Sequence, residues 1–261
     1  MSEQVPHNPA TPATPASPDQ SGLAINRNIP QLKRRLVKEA TLAVSMLEGA
    51  VAAMFAMDAA GAKAVRLSDD QVDSEEVAIE QACYQILALR APYARDFREL
   101  TFILRANADV ERVADHASSL AKCASKIADA AGGVEPSWPT ALRELGERVP
   151  LLCHTTLRAV LDEDVDAARR IVESDRVIDN LEKRLFEETI ESMRGGPNGD
   201  ANLAIGLLFY RAGRELERVG DLMASIAEDT VYLATAEIIR HAKRRGRPRA
   251  PRPADDRPPT S

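Results

Sequence analysis

The feature that most constrains this chain is an internal duplication. The segment NADVERVADHA begins at Asn107 and GRELERVGDLM begins at Gly213, so an E-R-V-x-D core occurs twice, 106 residues apart, with a further acid two residues upstream each time. The same offset pairs Asp58 with Asp164, Asp69 with Asp175, Asp73 with Asp179 and Glu76 with Glu182. One offset held without insertion across several segments implies two homologous units rather than one chance match.

Each unit reads as three helices. In the first, Leu32, Leu36, Leu47, Val51, Met54 and Phe55 recur at helical spacing and predict a helix from about Ile29 to Gly61. Val72, Ile79, Cys83, Ile86 and Leu87 predict a second from about Asp69 to Leu89, and Pro92 interrupts the chain before a third from about Tyr93 to Ala130, closed by the glycines at Gly132. The second unit repeats the pattern from Trp138, with a turn over residues 195–200 and a last helix from about Ala201 to His241. Aromatics are only 4% of the chain, so Ala, Leu, Val and Ile must do the packing, which suits closely packed helices. The expected fold is all-α, two tandem three-helix bundles related by an internal pseudo-twofold. Residues 1–27 form a Pro/Ala-rich extension expected to be disordered, 28–132 and 133–241 the two repeats, and 242–261 a Pro/Arg-rich disordered tail.

The long helices place the acids. Val110, Val113, Ala117, Leu120, Ala124 and Ile127 step by threes and fours, as do Leu216, Val219, Met223, Ile226, Thr230 and Leu233. At 100° per residue, Glu111 and Asp115 lie roughly 140° to 180° from the centre of that stripe, facing out of the core. Carboxylates four residues apart repel unless a cation bridges them. Asp69, Asp73, Glu76 and Glu80 form a matching stripe on the second helix, and Asp175, Asp179 and Glu182 on the fifth. If each stripe borders the E-x-x-x-D helix of its own unit, carboxylates converge on one ridge per repeat. Solvated helix faces decorated with acids are the ordinary alternative, and the registered copies argue against it. All-carboxylate ligation suits Mg²⁺, Mn²⁺ or Fe better than a thiolate Zn²⁺ site. His116 reads as a surface histidine, because its counterpart is Leu222.

Other classes fit less well. A di-iron oxygenase would carry inward E-x-x-H pairs, and the chain has no P-loop, dinucleotide loop, zinc-hydrolase motif or serine elbow. Acids outnumber bases 40 to 34, which argues against a general nucleic-acid binder. The seven cations between Arg240 and Arg252 read first as a solubilising tail, with A·T-rich DNA or anionic lipid contact there as the alternatives. Cys83, Cys123 and Cys153 are widely spaced and read as buried small hydrophobes. No cationic start precedes an apolar run, and the most apolar stretch is broken by Glu48 and Asp58, so neither a signal peptide nor a membrane span is expected.

The duplicated E-R-V-x-D core, with DDQVDSEEVAIEQACYQILALRAPYARDFREL in repeat one and ESDRVIDNLEKRLFEE in repeat two, resembles the PhoU family of phosphate-uptake and phosphate-signalling regulators over about residues 28–241. The resemblance implies a non-enzymatic cytoplasmic protein, peripheral at the inner membrane face through its partners: a phosphate-sensing histidine kinase and the ATPase subunit of a phosphate ABC transporter. It implies metal ions (Fe, Mg, Mn or Zn) on Asp69, Asp73, Asp109, Glu111 and Asp115, and on Asp175, Asp179, Glu215, Glu217 and Asp221. Pro92, Asp96, Arg98, Arg112 and Arg218 are the expected partner contacts, and exposed faces on two similar bundles suggest a homodimer. Repeat one has Ala114 where family members usually have glycine, and repeat two has Leu222 and Met223 where they have His-Ala. Metal buffering without a phosphate role, and DNA-linked regulation through the tail, are the alternatives.

Overall fold

The computed structural model describes residues 18–90, 92–194 and 199–239, with side chains placed over 28–89, 92–193 and 203–239. The basic tail and the first 17 residues lie outside the described residues. The fold is all-α, and the helices of the described residues are α1 (Pro18–Phe55), α2 (Ala59–Leu67), α3 (Asp69–Arg90), α4 (Ala94–Ala131), α5 (Thr140–Asp162), α6 (Val165–Arg194) and α7 (Gly199–Thr235).

Three boundaries differ from the sequence reading. Helix α1 begins at Pro18, inside the stretch assigned to the extension; proline at the first helical position lacks only an N–H that has no intrahelical partner there. The first helix also stops at Phe55 rather than running to Gly61, because Met57 turns left-handed (φ 51°) and Asp58 caps a new helix, its Oδ1 accepting from the amides of Ala60 and Gly61 at 3.0 Å. The second repeat makes the same turn 106 residues later. Glu163 has φ 50° and Asp164 Oδ1 accepts from the Ala167 amide at 2.9 Å. Helices α2 and α3, interrupted only at Ser68, are therefore the counterpart of the continuous α6, and the described residues make six rods in two three-rod bundles. At the far end α7 stops at Thr235, short of His241, where Ala236 turns left-handed (φ 60°).

In one bundle α1, α2/α3 and α4 pack together; α5, α6 and α7 form the other, and α4 lies along α7 between them. One apolar core runs through both, from Leu47, Met54, Leu120 and Ile127 to Leu142, Leu145, Phe209 and Leu216. Trp138 pins the junction, its ring 5.0 Å from both Phe55 and Phe209. Gly146 is required there, since a Cβ at this position would sit 2.8 Å from the Phe55 ring. Cys83, Cys123 and Cys153 are free and buried, with burial raising each thiol's pKa.

Candidate functional site: two acidic ridges

In repeat one the ridge forms where α3 lies against α4. The Asn107 side chain donates to the Glu76 carbonyl at 3.0 Å and ties the two helices together. Val72 and Ile79 are fully buried while Asp69, Asp73 and Glu76 turn toward the rim, because residues three and four apart share a helix face. Across from them stand Glu111 and exposed Asp115. Partial burial, then the charges of Asp115, Asp73, Glu76 and Asp69, raise the Glu111 pKa. Asp69 is raised by burial and by Asp73 and Asp115, partly offset by the nearby Ser118 hydroxyl and by Lys122.

Repeat two builds the same ridge between α6 and α7. One carboxylate oxygen from each of Asp175, Asp179 and Asp221 lies within 4.8 Å of the others, and among the described residues this is the acid triad drawn so close; the first ridge is wider. Glu217 is raised by burial and by Asp221, against the opposing charge of Arg214, and Asp221 by burial, Asp175 and Asp179. The Arg214 guanidinium lies 3.1 Å from Glu217 and 3.7 Å from Glu182, and the Tyr210 hydroxyl donates to Glu182 at 2.8 Å. The corresponding positions in repeat one are Ala108 and Leu104.

The donor set fits a hard cation. Oxygen-only ligation from aspartate and glutamate matches Mg²⁺, Mn²⁺ or Fe rather than a thiolate-bound zinc. Asp69 Oδ1 in the first ridge and Glu217 Oε2 in the second are buried acceptors that no hydrogen-bond donor meets, an arrangement that costs energy unless something positive compensates it.

Asp109 and Glu215, expected among the cluster, do not join it. Two residues along a helix is a rotation of about 200°, so they face the seam between α4 and α7. Burial raises the Asp109 pKa, against a hydrogen bond with Ser225 and the charge of Arg112, whose guanidinium lies 3.4 Å away. Glu215 is buried and bonds His116 Nδ1 at 2.8 Å; burial pushes its pKa up, but His116, Arg218 and Arg211 more than offset this and hold it below the ordinary value. His116 is accordingly a seam residue and not the surface histidine its Leu222 counterpart suggested. Of the expected partner contacts, Arg112 and Arg218 are exposed beside this seam. Pro92, Asp96 and Arg98 are half-buried at the start of α4, with Leu89, Tyr93 and Phe97 exposed around them.

Sequence reading missed Glu39. This α1 residue is 2% exposed, neither of its oxygens has a hydrogen-bond partner, and burial with the charges of Glu75 and Glu76 pushes its pKa up to about 8. The signal was available: Glu39 lies one turn beyond Leu36 in the apolar stripe of α1. The duplication hid it, since position 145 holds leucine.

Fold and site together define a class, the internally duplicated helical proteins that present one carboxylate ridge on each half. The PhoU domain model matches residues 36–124 and again 142–230, two spans separated by the offset of 106. The chain belongs to the PhoU domain family, whose members are regulatory and not catalytic. It is 30% identical to the phosphate-specific transport system accessory protein PhoU homolog of Pseudomonas aeruginosa over 83% of this chain and 87% of that one. It is 28% identical to PhoU homolog 1 of Thermotoga maritima, over 82% and 90%. The crystal structure of PhoU from P. aeruginosa superposes with a TM-score of 0.76 at 29% identity, covering 81% of this chain and 99% of that one. The phosphate transport system regulatory protein PhoU from Streptococcus pneumoniae, 24% identical with a TM-score of 0.74 over 82% and 98%, shares the fold.

Proposed function

We propose that this protein is a cytoplasmic regulator of phosphate uptake and phosphate-starvation signalling. It acts by contact with a phosphate-sensing histidine kinase and with the ATPase subunit of a phosphate ABC transporter. Its relatives are accessory proteins of phosphate-specific transport, which supports that setting. The observation that carries the reading is the pair of acidic ridges, drawn together at Asp175, Asp179 and Asp221 in the second half and set around Glu111 in the first, each with a buried, unsatisfied acceptor.

Asp69, Asp73, Glu76, Glu111 and Asp115, and Asp175, Asp179, Glu182, Glu217 and Asp221, would hold the metal, whose positive charge would neutralise both ridges and let these side chains serve as ordered docking surfaces. Binding to the native state alone also stabilises it by mass action. Pro92, Asp96 and Arg98, framed by exposed Tyr93 and Phe97, offer a mixed apolar and charged contact at one end of α4. Arg112 and Arg218 offer equivalent cations on the two halves, and a homodimer would present both ridges twice. No helix among the described residues is long and apolar enough to cross a membrane, so membrane proximity comes through the transporter and kinase.

The test is a chromosomal deletion with a phosphate-starvation reporter read at high phosphate. Deletion is expected to derepress the reporter. Wild type restores repression, and E111A/D115A/E217A/D221A does not. A reporter that stays silent in the deletion strain, with metal still bound stoichiometrically by the purified protein, would establish the metal-buffering alternative instead.

A further inference from the structure

One end of the α4/α7 pair is unlike the other. Helix α7 stops at Thr235, and residues 236–239 run on beside the first turn of α4, where Phe97 and Ile238 line one pocket of about 300 Å³. Ile239 packs against the apolar cluster around Ala168 and Val231, and Arg169 on α6 holds Glu237 at 2.6 Å, so this segment has a fixed place. Large apolar side chains at this end nonetheless face solvent: Tyr93 is 87% exposed, Leu89 80%, Ile238 72% and Phe97 50%. The offset of 106 puts Gly195, Gly199 and Gly132 at the positions of Leu89, Tyr93 and Ile238, and Leu203 at that of Phe97. The shared fold therefore does not require these side chains, and the core does not use them.

Charge is distributed in the same uneven way. The chain has a net charge of -6, yet seven cations and no acid stand between Arg240 and Arg252, directly after Ile239. Two acids at this end are compensated, Glu237 by Arg169 and Glu163 by Lys33 and Arg95. The ridge acids Glu111 and Asp221 lie fourteen residues from Phe97 and Thr235, roughly 21 Å along each helix. Apolar tips beside a polybasic run match one kind of partner. Such tips enter the boundary between lipid headgroups and acyl chains, where tyrosine is favoured, and neighbouring cations are drawn to anionic headgroups. Duplex DNA would use the cations alone, since phosphate contacts give Tyr93 and Ile238 nothing to pack on. We propose that Leu89, Tyr93, Phe97 and Ile238, with the cations that follow Ile239, dock this end of the molecule directly on a bilayer surface containing anionic phospholipid. The contact is shallow and reversible, because it offers single side chains and a short basic run. It holds the acidic ridges away from the negative surface, and it needs neither kinase nor transporter.

The measurement is co-flotation of the full-length protein with phosphatidylcholine vesicles, with and without phosphatidylglycerol, at low and high salt. Wild type is expected to float with the anionic vesicles at low salt, to bind the neutral ones about tenfold less, and to be released as salt rises. Y93S/I238S removes two apolar tips and R244A/R245A/R247A/R249A four cations, and each is expected to weaken binding to anionic vesicles about tenfold. L203S, at the equivalent of Phe97 on the opposite end, is expected to leave it unchanged. I238S alone carries the test if the double variant misfolds by circular dichroism. The proposal is overturned if wild type stays with the unbound fraction, or if it binds A·T-rich duplex DNA while ignoring the vesicles. It is equally overturned if the apolar variants bind as tightly as wild type, which would leave only a polycationic tail, or if L203S loses as much binding as they do. The vesicles contain no protein partner, so none of these outcomes bears on contacts with the kinase or the transporter.

Discussion

The two halves solve one electrostatic problem differently. In repeat two Arg214 and Tyr210 lie over the carboxylates, and the helix beneath contributes the apolar Leu145. In repeat one those positions are Ala108 and Leu104, and the helix beneath contributes a further acid, Glu39. The second ridge is partly neutralised by the protein's own side chains, whereas the first accumulates like charge in a region of lowered dielectric. Duplication conserved the ridge positions and let the surroundings diverge, so the halves should differ in ion affinity and in what the ion does to stability.

The largest contrast should come from the shared position under the ridge. Leu145 is fully buried, and L145A is expected to destabilise the protein by about 3 kcal/mol through lost burial and a residual cavity, read as a fall in denaturation midpoint. At the equivalent position E39L should do the opposite in metal-free protein at pH 8, raising the melting temperature by a smaller amount. The sign follows from linkage. Glu39 titrates near 8 in the fold, against an ordinary glutamate value in the unfolded chain, so its contribution is fully present below the unfolded value and is lost as pH rises through about 8. The E39L gain should therefore shrink as pH is lowered from 8 toward 5. An E39L protein less stable than wild type at pH 8 without metal would remove the contrast.

A second contrast lies in the seam. Only one member of the duplicated Asp109/Glu215 pair bonds a histidine, since His116 corresponds to Leu222. H116L should cost roughly 1–2 kcal/mol by stripping a hydrogen bond from a mostly buried carboxylate, with Arg211 and Arg218 limiting the loss. Glu215 is held below its ordinary pKa, so its stabilisation is present above that value and is lost as pH falls through the folded pKa. The H116L penalty should accordingly be visible at pH 6 and fade in strong acid, whereas a pH-independent penalty would mark simple repacking.

The duplication made the six-rod architecture legible, and a fixed offset with a 100° rotation per residue is enough to place Glu111 beside Asp73 and Glu217 beside Asp179. The same rotation, applied two residues upstream, places Asp109 and Glu215 on another face; carrying them over from the family resemblance ignored it. The turns at Met57 and Glu163 depend on left-handed backbone at non-glycine residues, which composition does not announce. Glu39 needed the packing of three helices before its burial meant anything, and a search for matched pairs passes over a residue whose partner is leucine.

The smallest effects should come from exchanging the compensating charge. Arg214 is only partly buried and its contacts with Glu182 and Glu217 are partly screened by solvent, so R214A is expected to lower metal-free stability by less than about 1 kcal/mol. Removing that cation deepens the negative potential around Asp175, Asp179 and Asp221, so Mn²⁺ should bind the second ridge several-fold more tightly. The reciprocal change is A108R, at an exposed position on α4, which places a guanidinium beside the first ridge and should weaken Mn²⁺ there by a similar factor. Both shifts should diminish as ionic strength rises, because exposed charges are screened over about 10 Å at 0.1 M salt. If R214A and A108R move affinity in the same direction, or if neither responds to salt, the difference between the halves lies in ligand geometry, the tighter Asp175, Asp179 and Asp221 triad against the wider first ridge, and not in the charge that each half supplies for itself.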